Sequence, residues 1–199
     1  MNKIGSRIIG KVAEQHHLNC EDTEVVLFGF NLLMNSILGL GAIFIVAYIL
    51  GIIPTVLAVT ITSVIFRAFT GGAHANSPIK CIVFGAIIFN ALGIIAVRIS
   101  NIILETNSLG IFAIVIFGTA AISFFIFAPA DTPGKPIATK VQRNKLRLLS
   151  FIFLIIWGTF MVCFRGATMY EHFVIASCIG LFWQSVSLWP VTYIIFGHK

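Results

Sequence analysis

Six stretches of the chain, at roughly 25–50, 52–68, 81–99, 108–128, 148–164 and 173–196, are almost continuously apolar, with the polar residues gathered between them. A helix needs about 20 residues to cross the hydrocarbon core of a bilayer, so the pattern predicts an all-α integral membrane protein of about six transmembrane helices. The first two runs are separated only by Gly51, with Pro54 close behind, which predicts a tight hairpin. No loop is longer than about twenty residues, too few to bury a core of its own, so residues 1–199 are expected to form a single membrane domain. Before the first run, Ile4, Ile8 and Val12 recur every four residues, and Lys3, Arg7 and Lys11 do the same one position earlier. On a helix over 1–20 this sets an apolar stripe beside a basic one, suited to lying in the interface of an anionic leaflet. A frayed basic tail is the plainer alternative.

Composition supports the membrane reading. Hydrophobic residues make up 58% of the chain and charged ones 10%, against about 25% charged in soluble domains. The net charge is +6, but its placement says more than its size. With a cytoplasmic N-terminus, six crossings put residues 1–24, 67–80, 129–147 and 197–199 inside. Of the 13 lysines and arginines, only Arg98 and Arg165 then fall outside. That asymmetry predicts an N-in, C-in topology, with cytoplasmic loops over 67–80 and 129–147.

Within the crossings polar side chains are few: Asn31 and Asn35 in the first, Asn90 in the third, and Gln184, Ser185 and Ser187 in the sixth. Amides in hydrocarbon find partners on neighbouring helices, so these are expected to be packing contacts. No carboxylate or histidine sits mid-membrane, which argues against an ion-coupled pump.

The chemistry concentrates between the second and third crossings, where the chain reads Arg67-Ala-Phe-Thr-Gly71-Gly72-Ala-His74-Ala-Asn-Ser-Pro-Ile-Lys-Cys81. Ser77 followed by Pro78 is a helix-start signature. Cys81 then falls at the end of the first turn, where the helix dipole and neighbouring Lys80 favour a thiolate. His74, just upstream, is placed to take the thiol proton and return it to a leaving amine. Gly71 and Gly72 permit a tight turn, or backbone N–H groups aimed at a developing oxyanion. On spacing alone, an interfacial histidine with a structural cysteine explains the pair equally well. Zinc held by His16, Cys20, His74 and Cys81 is a third reading, although the spacings match no common zinc module. Cys163 and Cys178 flank the last outside loop, as packing residues or a disulfide.

The run Arg67…Gly71-Gly72-Ala-His74…Cys81, together with Ala128-Pro-Ala-Asp131-Thr-Pro-Gly-Lys135-Pro136 and the basic amphipathic start, resembles the accessory gene regulator protein B (AgrB-like) family along essentially the whole chain. The resemblance implies a membrane cysteine endopeptidase of Gram-positive quorum sensing, with His74 and Cys81 as the catalytic pair and Arg67 and Gly72 as motif positions needed for activity. It implies an AgrD-like propeptide as substrate, cleaved ahead of its acidic C-terminal tail through a thioester and closed to a thiolactone or lactone. Lys135, Lys140, Arg143, Lys145 and Arg147 are expected to attract that tail, with a purely topogenic loop as the alternative. The expected setting is the cell membrane, with the active site on the cytoplasmic side and anionic lipid around it. The resemblance also brings an association with homodimers, although no segment of the sequence marks an interface. No cofactor, metal or nucleic-acid partner is expected. A multi-pass peptide transporter, in which Asn31, Asn90 or Gln184 would matter and Cys81 would not, is the main rival; a non-catalytic scaffold is the second.

Overall fold

The structure, a computed structural model, describes residue 10 and residues 19–73, 77–130, 139–164 and 170–196, the Cys20 side chain excepted. It is all-helical. In chain order the helices are α1 (Cys20–Ile49), α2 (Ile53–Thr70), α3 (Pro78–Glu105), α4 (Leu109–Phe127), α5 (Lys140–Cys163), α6 (Glu171–Val186) and α7 (Pro190–Ile195). The first five are long and apolar enough to cross a membrane. The expected interfacial helix over 1–20 lies outside the described residues.

Local chemistry sets the ends. Asn19 caps α1 by accepting the Asp22 N–H on its side chain at 2.7 Å, and Glu21 and Asp22 complement the dipole of that first turn. The α1–α2 hairpin is a Schellman turn. Gly51, at φ +68°, donates to the Tyr48 carbonyl while Ile52 donates to that of Ala47. Asn107, at φ +50°, closes α3 in the same way. Thr139 caps α5 by accepting the Gln142 N–H at 3.2 Å.

Side-chain contacts fix the relative directions. Gly39 faces Ile82 and Ile43 faces Gly85, so α1 and α3 run parallel. Thr62 meets Ser177 and Thr70 meets Gln184, so α2 and α6 also run parallel. Phe69 stacks on Phe153 while Phe66 meets Trp157, so α5 opposes α2. Gly158 lies against Phe117 and Arg147 against Ala128, so α5 also opposes α4. One end of the bundle therefore gathers the starts of α1, α3 and α5 and the ends of α2, α4 and α6.

The core forms around α6, whose residues Val174–Leu181 are all buried. A helix apolar on every side is one enclosed by others. The α2–α6 seam is made of small and hydroxylated residues, as in close-packed membrane helices. Ser63 donates to the Gly180 carbonyl at 2.9 Å, and Ser177 bonds both Thr62 and the Trp157 indole. A Cβ at Gly180 would stand 2.5 Å from the Val59 carbonyl oxygen. Asn90 ties α3 to α1 by donating to the Ile43 carbonyl at 3.1 Å, the packing role expected of it.

Two elements differ from the apolar pattern. The run 173–196 is not one helix but breaks at Ser187–Trp189. The first piece, α6, has 16 residues and is about 24 Å long, short of a hydrocarbon core of about 30 Å. The second, α7, turns across the end of the bundle: Trp189 bonds Ser123 of α4, and Phe196 packs on Phe84 of α3. The expected basic loop over 129–147 is helical in its second half, because α5 begins at Lys140. Lys140, Arg143, Lys145 and Arg147 thus ride on its first two turns.

Candidate functional site

Cys81 stands where the sequence put it, at the end of the first turn of α3. Ser77 is the N-cap, accepting the Lys80 N–H at 3.3 Å, and Pro78 opens the helix. The Cys81 N–H already bonds the Ser77 carbonyl at 3.0 Å. The thiol is free and exposed. Cys163 and Cys178 are likewise free thiols, the first exposed and the second buried.

His74, with Ala75 and Asn76, lies outside the described residues. The turn leading to it is well defined and held from three sides. Arg67, half-buried in the last turn of α2, sends one guanidinium N–H group onto the carbonyls of Gly72 and Ala73. The same cation interacts electrostatically with Cys81 on α3 and with Tyr193 on α7. From α6, the Gln184 amide donates to the Thr70 hydroxyl at 2.8 Å and to the Gly71 carbonyl at 2.7 Å. The Ser187 carbonyl accepts the Ala73 N–H at 3.1 Å. After α4, Ala130 donates its N–H to the Thr70 carbonyl at 2.8 Å.

The paired glycines are demanded by this setting. Gly71 sits at φ +73°, and a Cβ there would lie 2.5 Å from the Ala130 carbonyl oxygen. Gly72 sits at φ +136°, and its Cβ would lie 2.8 Å from the Ser187 hydroxyl. Both conformations disfavour any residue with a side chain. The Gly71 N–H is used on the Arg67 carbonyl.

The expected tail-binding residues divide. Lys140 and Lys145 are exposed on α5, and Lys135 lies outside the described residues. Arg147 donates from Nε to the Ala128 carbonyl at 2.9 Å, tying α5 to the end of α4. Among the described residues no cluster of histidine, cysteine and carboxylates is placed to hold a metal. His16 and His74, needed for the zinc alternative, are outside them.

Sequence reading missed the contribution of α6. Gln184 makes the expected contact between helices, to Thr70 of α2, but it and Ser187 also reach the glycine turn. The available signal was Pro190, which disrupts a helix continuing through it and so marks the break that turns Ser187 toward the site.

These features define a multi-pass helical membrane protein whose exposed Cys81 thiol, Arg67 guanidinium and anchored glycine turn share one end of the bundle. Residues 6–188 match the family described as accessory gene regulator B, and the chain belongs to that family of quorum-sensing membrane peptidases. A putative AgrB-like protein of Clostridium perfringens strain SM101 is 24% identical over 98% of this chain and 92% of its own. Putative AgrB-like protein 2 of C. perfringens strain 13 is 25% identical over the same shares. A putative AgrB-like protein of Listeria innocua is 24% identical over 84% of this chain and 77% of its own. No solved structure matches the chain.

Proposed function

We propose that this chain is a membrane cysteine endopeptidase that removes the C-terminal tail of an AgrD-like propeptide, with Cys81 as nucleophile and His74 as its base. The observation that carries the reading is the free, exposed Cys81 thiol in the first turn of α3, at the same end of the bundle as the turn into His74 that Arg67 grips. His74 takes the Cys81 proton. The thiolate attacks the scissile carbonyl, the C–N bond breaks, and His74 returns the proton to the departing amine of the tail. A thioester on Cys81 remains. A cysteine or serine within the propeptide then attacks it, closing a thiolactone or lactone and freeing the Cys81 sulfur. Exchange of one thioester for another nearly conserves bond energy, so the thiolactone closure needs no nucleotide.

The end of the bundle carrying Cys81 also carries Arg67, Lys80, Lys140, Arg143, Lys145 and Arg147, and the positive-inside rule supports its being the cytoplasmic end. The amphipathic start then lies on the anionic inner leaflet, where the propeptide is concentrated beside the enzyme. Co-expression with the propeptide tests the chemistry. Cys81→Ala and His74→Ala each abolish release of the tail while the protein still accumulates in the membrane. Tail release that persists in Cys81→Ala refutes the thiol mechanism and leaves the transporter or scaffold.

A further inference from the structure

We propose that Gln184 is a positioning residue for propeptide processing, its buried amide fixing the Gly71–Ala73 turn that delivers His74; this rests on the peptidase reading above.

The side chain is fully buried, in an interior where an amide is costly unless it is paired. Its nitrogen sits 2.7 Å from the Gly71 carbonyl oxygen. A carbonyl only accepts, so the amide is oriented with its NH2 group toward the turn. Both N–H groups are spent there, one on Gly71 and one on the Thr70 hydroxyl. The price is an Oε1 buried with no partner among the described residues. An unmade buried hydrogen bond is destabilising; an apolar side chain of equal volume would avoid it but would take the 2.7 Å donor from the Gly71 carbonyl, a cost of the same kind. Stability alone therefore gives a glutamine no clear advantage here.

The turn explains it. Glycine adopts positive φ readily but has no strong preference for one conformation, so the Gly71–Gly72 backbone takes this shape only where its surroundings select it. The end of α6 engages three residues in succession: the Gln184 amide bonds the Gly71 carbonyl, the Ser187 hydroxyl closes the space at Gly72, and the Ser187 carbonyl takes the Ala73 N–H. Arg67 grips the same segment from α2, but through the next two carbonyls. Without Gln184 the Gly71 carbonyl keeps only the long 3.4 Å bond from the Thr70 hydroxyl, while Gly72 and Ala73 stay fixed.

The test is steady-state processing of the propeptide by the full-length protein in anionic liposomes, with the C-terminal tail as readout. Gln184→Met keeps the length of the side chain and removes both its donors and the stranded oxygen. Its kcat is expected to fall between about 10- and 100-fold, the range for a displaced catalytic group. KM should stay within about threefold and the melting temperature within about 3 °C. Wild-type kcat in this variant overturns the proposal, as does a kcat loss matched by collapse of KM and of the melting temperature. Thr70→Val, which deletes one of the amide's two acceptors at nearly constant volume, provides a second arm should Gln184→Met fail to accumulate. It is expected to lower kcat in the same sense by a smaller factor, and unchanged kcat there overturns the proposal too. Cys81→Ala runs alongside: tail release in that control overturns the peptidase reading itself, whatever Gln184 does.

Discussion

Gly71 and Gly72 are adjacent, yet substitution at each meets a different obstacle. At Gly71 a methyl group would run into the backbone oxygen of Ala130 at 2.5 Å, in a conformation with φ +73°. That oxygen belongs to a segment tied to Thr70 through the Ala130 N–H, so it can move only if the end of α4 moves with it. Gly71→Ala is therefore expected to lower stability by at least about 1–3 kcal/mol from backbone strain and to accumulate poorly. Gly72 meets a side-chain hydroxyl instead, that of Ser187. Gly72→Ala should fold but lose most processing, and adding Ser187→Ala should restore part of it. Recovery stays partial because φ +136° strains alanine whatever space is opened. Thermal melts and tail release on the three proteins check the contrast, and full recovery in the double variant would show that strain at Gly72 is unimportant.

At the scale of elements, the apolar runs of α1 to α4 were legible, and so were the ends marked by Gly51 with Pro54 and by Ser77 with Pro78; the ends set by Asn19 and Asn107 were not, so α1 begins before the expected run 25–50 and α3 ends beyond the run 81–99. The bounds of α5 were harder. Four cations in the first two turns oppose the helix dipole, so the run to Arg147 reads as a loop, although Thr139 is present to cap it. The sixth segment was harder still, since an apolar stretch looks the same whether it faces lipid or protein. The sequence of α6 does not announce that it is the enclosed helix, nor that Gln184 points at a loop more than 110 residues earlier. The Cys81 helix start was readable from local sequence because it is built from Ser77 and Pro78; the latch on the glycine turn was not, because it is built from α2, α4 and α6 together. The latch also depends on the depth of the α2–α6 seam. Gly180→Leu drives a side chain into the Val59 carbonyl and must push α6 away, at an overpacking cost of about 1–3 kcal/mol or more. Processing should fall together with the melting temperature, the pairing that Gln184→Met is expected to break.

Across the whole molecule, charge is the feature that orders the parts. Six cations on described residues stand at the end that holds Cys81, while Arg98 lies toward the opposite end of α3. Four of them, Lys140, Arg143, Lys145 and Arg147, burden the start of α5, where the dipole disfavours cations by a few tenths of a kcal/mol each. Local stability does not explain that placement. Orientation in the bilayer explains it, and so does attraction of an acidic propeptide tail, and salt separates the two. Lys140 and Lys145 are the residues to change, being exposed, whereas Arg147 holds the Ala128 carbonyl. Two exposed charge pairs are each worth about 0.2–1 kcal/mol. Lys140→Gln combined with Lys145→Gln should thus lower kcat/KM roughly two- to thirtyfold at low ionic strength, mainly through encounter with the tail. At about 1 M salt the Debye length falls to about 3 Å, so the wild type should slow toward the variant and the difference should close. A purely topogenic role predicts no salt-dependent difference once the protein is inserted. The double substitution should act on KM and respond to salt, while Gln184→Met acts on kcat and does not. Measuring both variants across one salt series therefore separates the proposed attraction of the propeptide by Lys140 and Lys145 from the proposed positioning role of Gln184.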